Sequence, residues 1–125
     1  MNKPNKNSLA NYLHTKKDEG KEKHVPVIYC PEEVTAGEIF EIKIAIGEEV
    51  PHPNTWEHHI KWIQVFVKEE NKEPVHVATF DLGPTIAEPK VTVAMKLNKS
   101  ATIHAVEYCN IHGLWESYAE IKVSG

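Results

Sequence analysis

From Val25 onward, apolar residues recur at every second position. Phe40, Ile42, Ile44 and Ile46 alternate with Glu41, Lys43 and Ala45. Val91, Val93, Met95 and Leu97 alternate with Thr92, Ala94 and Lys96, and Ala119, Ile121 and Val123 with Glu120 and Lys122. Successive side chains of a strand point to opposite faces, so a period of two marks half-buried β-strands. Segments 25–29, 59–68, 75–80 and 102–108 are further strand candidates, which makes about seven in all. Turn-forming stretches separate them: Pro31-Glu32-Glu33, residues 47–54, Asn71-Lys72-Glu73-Pro74, Gly83-Pro84 and Asn98-Lys99-Ser100. The pattern predicts an all-β fold, a seven-stranded immunoglobulin-like β-sandwich. A chain of 125 residues suits one domain with a core of its own. The polar, lysine- and asparagine-rich residues 1–20 read as an N-terminal arm, flexible or with a short helix around Leu9, Tyr12 and Leu13. Residues 21–125 then form the functional domain.

Composition narrows the function classes. A formal net charge of −4 argues against non-specific nucleic-acid binding, which needs clustered positive charge. No apolar run approaches the ~18 residues of a membrane span. The N-terminal lysines are not followed by a hydrophobic stretch, which argues against a secretory signal. Two cysteines, Cys30 and Cys109, are too few for a disulfide framework. These features point to a cytoplasmic protein.

Eight histidines are the unusual count, and several stand beside other donors. Three segments group them: Glu22-Lys23-His24-Val25-Pro26, Pro51 through His59, and Tyr108 through Trp115. Each lies at the edge of a predicted strand, and the loops of a sandwich cluster at its two ends, so distant segments can meet there. Cys109 and His112 form a Cys-x-x-His pair able to reach one ion. His52 and His58 flank a loop stiffened by Pro51 and Pro53. Each pair is a weak signal alone; together they suggest a metal centre with five candidate donors, His24, His52, His58, Cys109 and His112. Structural zinc wants four ligands in a tetrahedron, usually with more thiolate. Blue copper wants two histidines, one cysteine and an axial methionine, and no methionine follows His112; Met95 reads as a strand residue. Imidazoles with one thiolate and an open position suit iron.

The runs EKHVPVI, HPN followed by EHH, and CNIHGLW resemble the superoxide reductase family, which includes neelaredoxin and the iron-centre domain of desulfoferrodoxin. The resemblance covers residues 21 to 125 and implies the same sandwich. It implies one iron ion per chain, with His24, His52, His58 and His112 as equatorial ligands and Cys109 as the axial one. It implies Glu22 as a sixth ligand in the oxidised state only, and Lys23 as the catalytic lysine beside the open face. His59 lies outside this ligand pattern. The implied reaction is one-electron reduction of superoxide to hydrogen peroxide, with electrons from an external donor such as rubredoxin. A homo-oligomer, dimer or tetramer, is implied as well. Backbone N–H groups near Ile111 and His112 are expected to hydrogen-bond the Cys109 sulfur.

The chain departs from the family pattern in places. The cysteine-rich domain of desulfoferrodoxins is missing, so no second iron is expected. The arm is longer than in many one-iron members, Trp56 stands where threonine is common, and the segment between Val75 and Val91 is shorter. Cys30 reads as a free thiol, Trp115 as packing near the site, and His14, His76 and His104 as ordinary histidines.

Overall fold

A computed structural model describes residues 6–125; residues 1–5, the start of the predicted arm, lie outside the described residues. Among the described residues there are nine strands: β1 (Leu13–His14), β2 (Val27–Tyr29), β3 (Glu33–Thr35), β4 (Phe40–Ala45), β5 (Ile60–Glu69), β6 (Val75–Asp81), β7 (Lys90–Met95), β8 (Ala101–Cys109) and β9 (Gly113–Ser124). Among the described residues the only helical turns are two short 3-10 segments, Leu9–Tyr12 and Lys16–Asp18. One sheet runs β1-β9-β8-β5-β6, with β3 also paired to β9; the other is β2-β4-β7. The sandwich is therefore as expected, with nine strands rather than seven. The additional two, β1 and β3, have two and three residues and pair parallel with the start and end of β9. Such short segments have no period to read, and only their tertiary partner makes them strands.

The two inner faces interdigitate as the alternation requires. Phe40, Ile42 and Ile44 of β4 pack with Ile63 and Val65 of β5, Ile103 and Ala105 of β8, and Ile121 of β9. Each fully buried isoleucine contributes about 1.5–3 kcal/mol relative to exposure. On β8 the buried set is Ala101, Ile103, Ala105, Glu107 and Cys109. The period that builds the core thus also carries the Cys109 sulfur inward at the strand's end.

Antiparallel pairing brings the three histidine-bearing segments to one end. β2 pairs antiparallel with β4, so the residues before Val27 lie beside the exit of β4. That exit opens into the loop leading to β5. β8 pairs antiparallel with β5, so Cys109 stands opposite Ile60 at the beginning of β5. The β8–β9 hairpin turns through Asn110, Ile111 and His112, and closes at Gly113 with φ +85°. A three-residue hairpin loop closed by a left-handed residue favours glycine there. Gly47 (φ +72°) serves the neighbouring loop: a Cβ at that position would lie 2.7 Å from the His52 backbone nitrogen.

Candidate metal centre

The structure brings Glu22, His24, His52, His58, Cys109 and His112 together at this end of the sandwich. Glu22 Oε1 is 3.0 Å from His24 Nε2, 3.0 Å from His58 Nε2, 3.3 Å from His52 Nε2 and 3.3 Å from His112 Nδ1. Cys109 Sγ is 3.7 Å from His52 Nε2 and 3.9 Å from His112 Nδ1. Three histidines thus present Nε2, while His112, on the tight turn next to Cys109, presents Nδ1. The four rings stand mostly edge to face, with centroids 4.7–5.0 Å apart.

The carboxylate oxygen and two of the ring nitrogens are close without being hydrogen-bonded to one another. His24 Nε2, His58 Nε2 and Glu22 Oε1 are buried and have no hydrogen-bond partner despite separations of 3.0 Å. Buried polar atoms are ordinarily paired. Here their lone pairs aim at shared space rather than at each other, which is how ligand atoms surround an ion. The donor set therefore fits a metal ion, and six donors exceed what tetrahedral zinc or a methionine-capped copper site uses.

The surroundings hold these donors in the form a metal needs. Burial pushes the His24 and His52 imidazoles down from their ordinary range, so the neutral form with its free lone pair prevails. His52 Nδ1–H donates to the Pro53 carbonyl at 2.7 Å, which leaves Nε2 as the lone-pair nitrogen. Trp115 stacks on His24 with ring centroids 4.7 Å apart and planes 14° apart, and its Nε1–H donates to the His112 carbonyl at 3.1 Å. The expected packing role of Trp115 is met. The His112 N–H donates to Cys109 Sγ at 3.4 Å, and the Ile111 N–H also reaches the sulfur. Burial pushes the Cys109 thiol up, and these N–H bonds pull it back.

Polar staples tie the loops together. Asn110 Oδ1 accepts from His59 N–H at 2.8 Å, and its Nδ2 donates to the Glu57 carbonyl at 3.0 Å. Asn54 Oδ1 accepts from Thr85 N–H at 2.8 Å, and its Nδ2 donates to Glu88 at 3.0 Å. His59 is turned away from the cluster, its Nδ1 hydrogen-bonded to the Thr55 carbonyl at 2.9 Å. Both asparagines belong to the motifs read above, yet their clamping role needs the fold to be seen.

Lys23 lies beside the cluster rather than in it. Its ammonium is 3.7 Å from Glu19 Oε1. Cys30 is outside the cluster, and His76 and His104 lie on the sheet away from it. His14, on β1, makes a ring contact with Trp115. Two residues near the centre escaped the sequence reading: Glu19, and Glu107, two positions before Cys109. Glu107 is 0% exposed, neither carboxyl oxygen has a partner, and burial pushes its pKa up to about 9. It is a neutral acid at pH 7.

Comparison with known proteins places this arrangement in context. Residues 16–118 match the desulfoferrodoxin family model. A superoxide reductase from Pyrococcus abyssi is 39% identical, covering 81% of this chain and 89% of the relative. Neelaredoxin from Megalodesulfovibrio gigas is 38% identical, covering 77% of this chain and 84% of the relative. Among solved structures, superoxide reductase (neelaredoxin) from Ignicoccus hospitalis superposes with a TM-score of 0.87 at 38% identity, covering 94% of this chain and 99% of that one.

Proposed function

The chain belongs to the desulfoferrodoxin family, and from that premise we propose that it is a superoxide reductase that converts superoxide to hydrogen peroxide at one mononuclear iron per chain. The observation that carries this reading is the convergence of six imidazole, thiolate and carboxylate donors, three of them buried without a hydrogen-bond partner. Iron, when bound, supplies one electron to superoxide and regains it from an external donor.

The protein's own residues divide the remaining work. His24, His52, His58 and His112 would hold the ion through their ring nitrogens, and Cys109 would be the anionic donor from the core side. Backbone N–H groups of Ile111 and His112 moderate its electron donation. Glu22 would join them as a ligand when the ion is oxidised; its oxygen stands among the four nitrogens. Glu22 and His112 are the most exposed members of the set, so the substrate reaches the centre from their side. Lys23 Nζ makes that approach locally positive and orders the water that delivers protons.

Electrons come from a protein donor such as rubredoxin. Ile111 and Trp56, exposed on ligand-bearing loops, offer it an apolar landing face. Lys61, a basic residue near this end, is paired with Asp81 and contributes less to docking. A homo-oligomer, dimer or tetramer, which rests on the resemblance, and a cytoplasmic location, which rests on composition, complete the reading. Among the described residues no helix is long and apolar enough to cross a membrane.

Metal analysis of protein purified without added metal tests the cofactor: iron near one per chain is expected, and zinc or copper in its place contradicts the reading. Lys23→Ala tests the approach. The bimolecular rate with superoxide should fall roughly tenfold at low ionic strength, the low end of electrostatic steering, and lose much of its salt dependence. A rate unchanged in size and in salt dependence would sink the role given to Lys23.

A further inference from the structure

Glu19 belongs to the N-terminal arm, just past the Lys16–Asp18 turn, and by composition it is one more charge on a solvated segment. Its side chain is only 5% exposed. One carboxylate oxygen, Oε2, accepts from both the His24 N–H and the Val25 N–H at 2.9 Å. The other, Oε1, is 3.7 Å from the Lys23 ammonium and 3.6 Å from that of Lys16. A surface ion pair contributes little by itself. A nearly buried carboxylate that accepts two N–H bonds from the segment bearing a ligand is a different object: charge-assisted hydrogen bonds are roughly twice as strong as neutral ones.

We propose that Glu19 is a positioning residue for the centre: it tethers the Glu22-Lys23-His24 segment to the arm and holds the Lys23 ammonium, so that the arm sets how much positive charge meets the incoming anion. The inference rests on the role given to Lys23 above. In the arrangement seen here the Glu22 carboxylate lies among the imidazoles while Lys23 faces Glu19. Glu19 thus offsets part of the attraction that Lys23 exerts. It also fixes the backbone from which His24 reaches the cluster, and the stacking of His24 on Trp115 holds the same residue from the other direction.

Two variants separate the tether from the charge. Glu19→Gln keeps an oxygen for the two N–H groups and removes the charge, whereas Glu19→Ala removes both. Amide hydrogen exchange, read residue by residue in iron-loaded protein, should speed up at His24 and Val25 by at least about tenfold in Glu19→Ala, and far less in Glu19→Gln. Unchanged exchange in Glu19→Ala overturns the tether whatever the reaction proves to be. The charge is read by rapid mixing with superoxide. Glu19→Gln should react about threefold faster at low ionic strength, with the gain vanishing in high salt. In a Lys23→Ala background that gain should shrink by at least half. An equal gain with and without Lys23, or no gain at all, overturns the holding of Lys23. Failure of the underlying reading looks different: Lys23→Ala alone would then leave the rate untouched while the exchange result stands.

Discussion

Cys109→Ser leaves a chain that folds and no longer keeps a working centre. Serine has almost the same shape, and the β8 terminus that carries the residue is buried in the core, so the sandwich survives. The chemistry does not. A serine hydroxyl stays protonated at neutral pH, so the site loses its only thiolate and the anionic donor on the core side of the four imidazoles. Changes outside the ligand set typically cost 10–100-fold in affinity or activity, and loss of a ligand should exceed about 100-fold. Iron content should fall, the sulfur-to-iron charge-transfer absorption should vanish, and superoxide reduction should drop to background. Cys30→Ser is the matched control. Cys30 is a half-buried free thiol outside the cluster, so this variant should retain iron, absorption and rate. Retention of the absorption band by Cys109→Ser would contradict the ligand assignment.

Glu107 should make the metal-depleted protein lose stability as pH rises. Its folded pKa of about 9 lies above the ordinary 4.5. Between those values the folded chain keeps a proton that the unfolded chain releases, so the unfolded state binds fewer protons and stability falls with rising pH. The contribution is whole below pH 4.5 and is lost progressively up to about pH 9. The slope is ~1.4 kcal/mol per pH unit, about 3 kcal/mol between pH 4.5 and 7. That is a large share of the 5–15 kcal/mol by which domains are stable. Glu107→Gln keeps the shape and cannot ionise. Urea unfolding of both proteins from pH 5 to 8, after metal removal, should show a steeper decline in the parent. Other titrating groups are common to both chains, so the difference belongs to Glu107; parallel curves would contradict its burial as a neutral acid.

These two residues also illustrate what can be read from sequence. Glu107 lies in register with Ile103, Ala105 and Cys109, so the period that locates the core also places its carboxyl inside; the signal was present in the alternation. Ile42, Ile44 and Ile121 were legible for the same reason. The beginning of β9 was not, because Gly113 to Tyr118 reads as the tail of a site motif, and the hairpin turn that makes it a strand depends on Gly113 adopting a positive φ. Grouping of the donors was legible because loops at strand ends gather at one end of a sandwich. Which ring nitrogen faces the centre was not. His112 uses Nδ1 because its turn brings it within 3.9 Å of the sulfur, a matter of backbone geometry. Glu19 was hidden for a third reason: an arm of polar residues carries no period, and only β1 pairing with β9 and the Thr15–Glu19 turn lay it against the centre.

The central claim is that this centre passes one electron to superoxide and releases peroxide. The most direct measurement is rapid mixing, or pulse radiolysis, of the reduced, iron-loaded protein with superoxide, following iron oxidation, hydrogen peroxide and dioxygen together. The account predicts one iron oxidised and one hydrogen peroxide formed per superoxide consumed, with no dioxygen. Dioxygen release in the absence of a reductant, or iron that stays reduced while superoxide decays at its spontaneous rate, would contradict it.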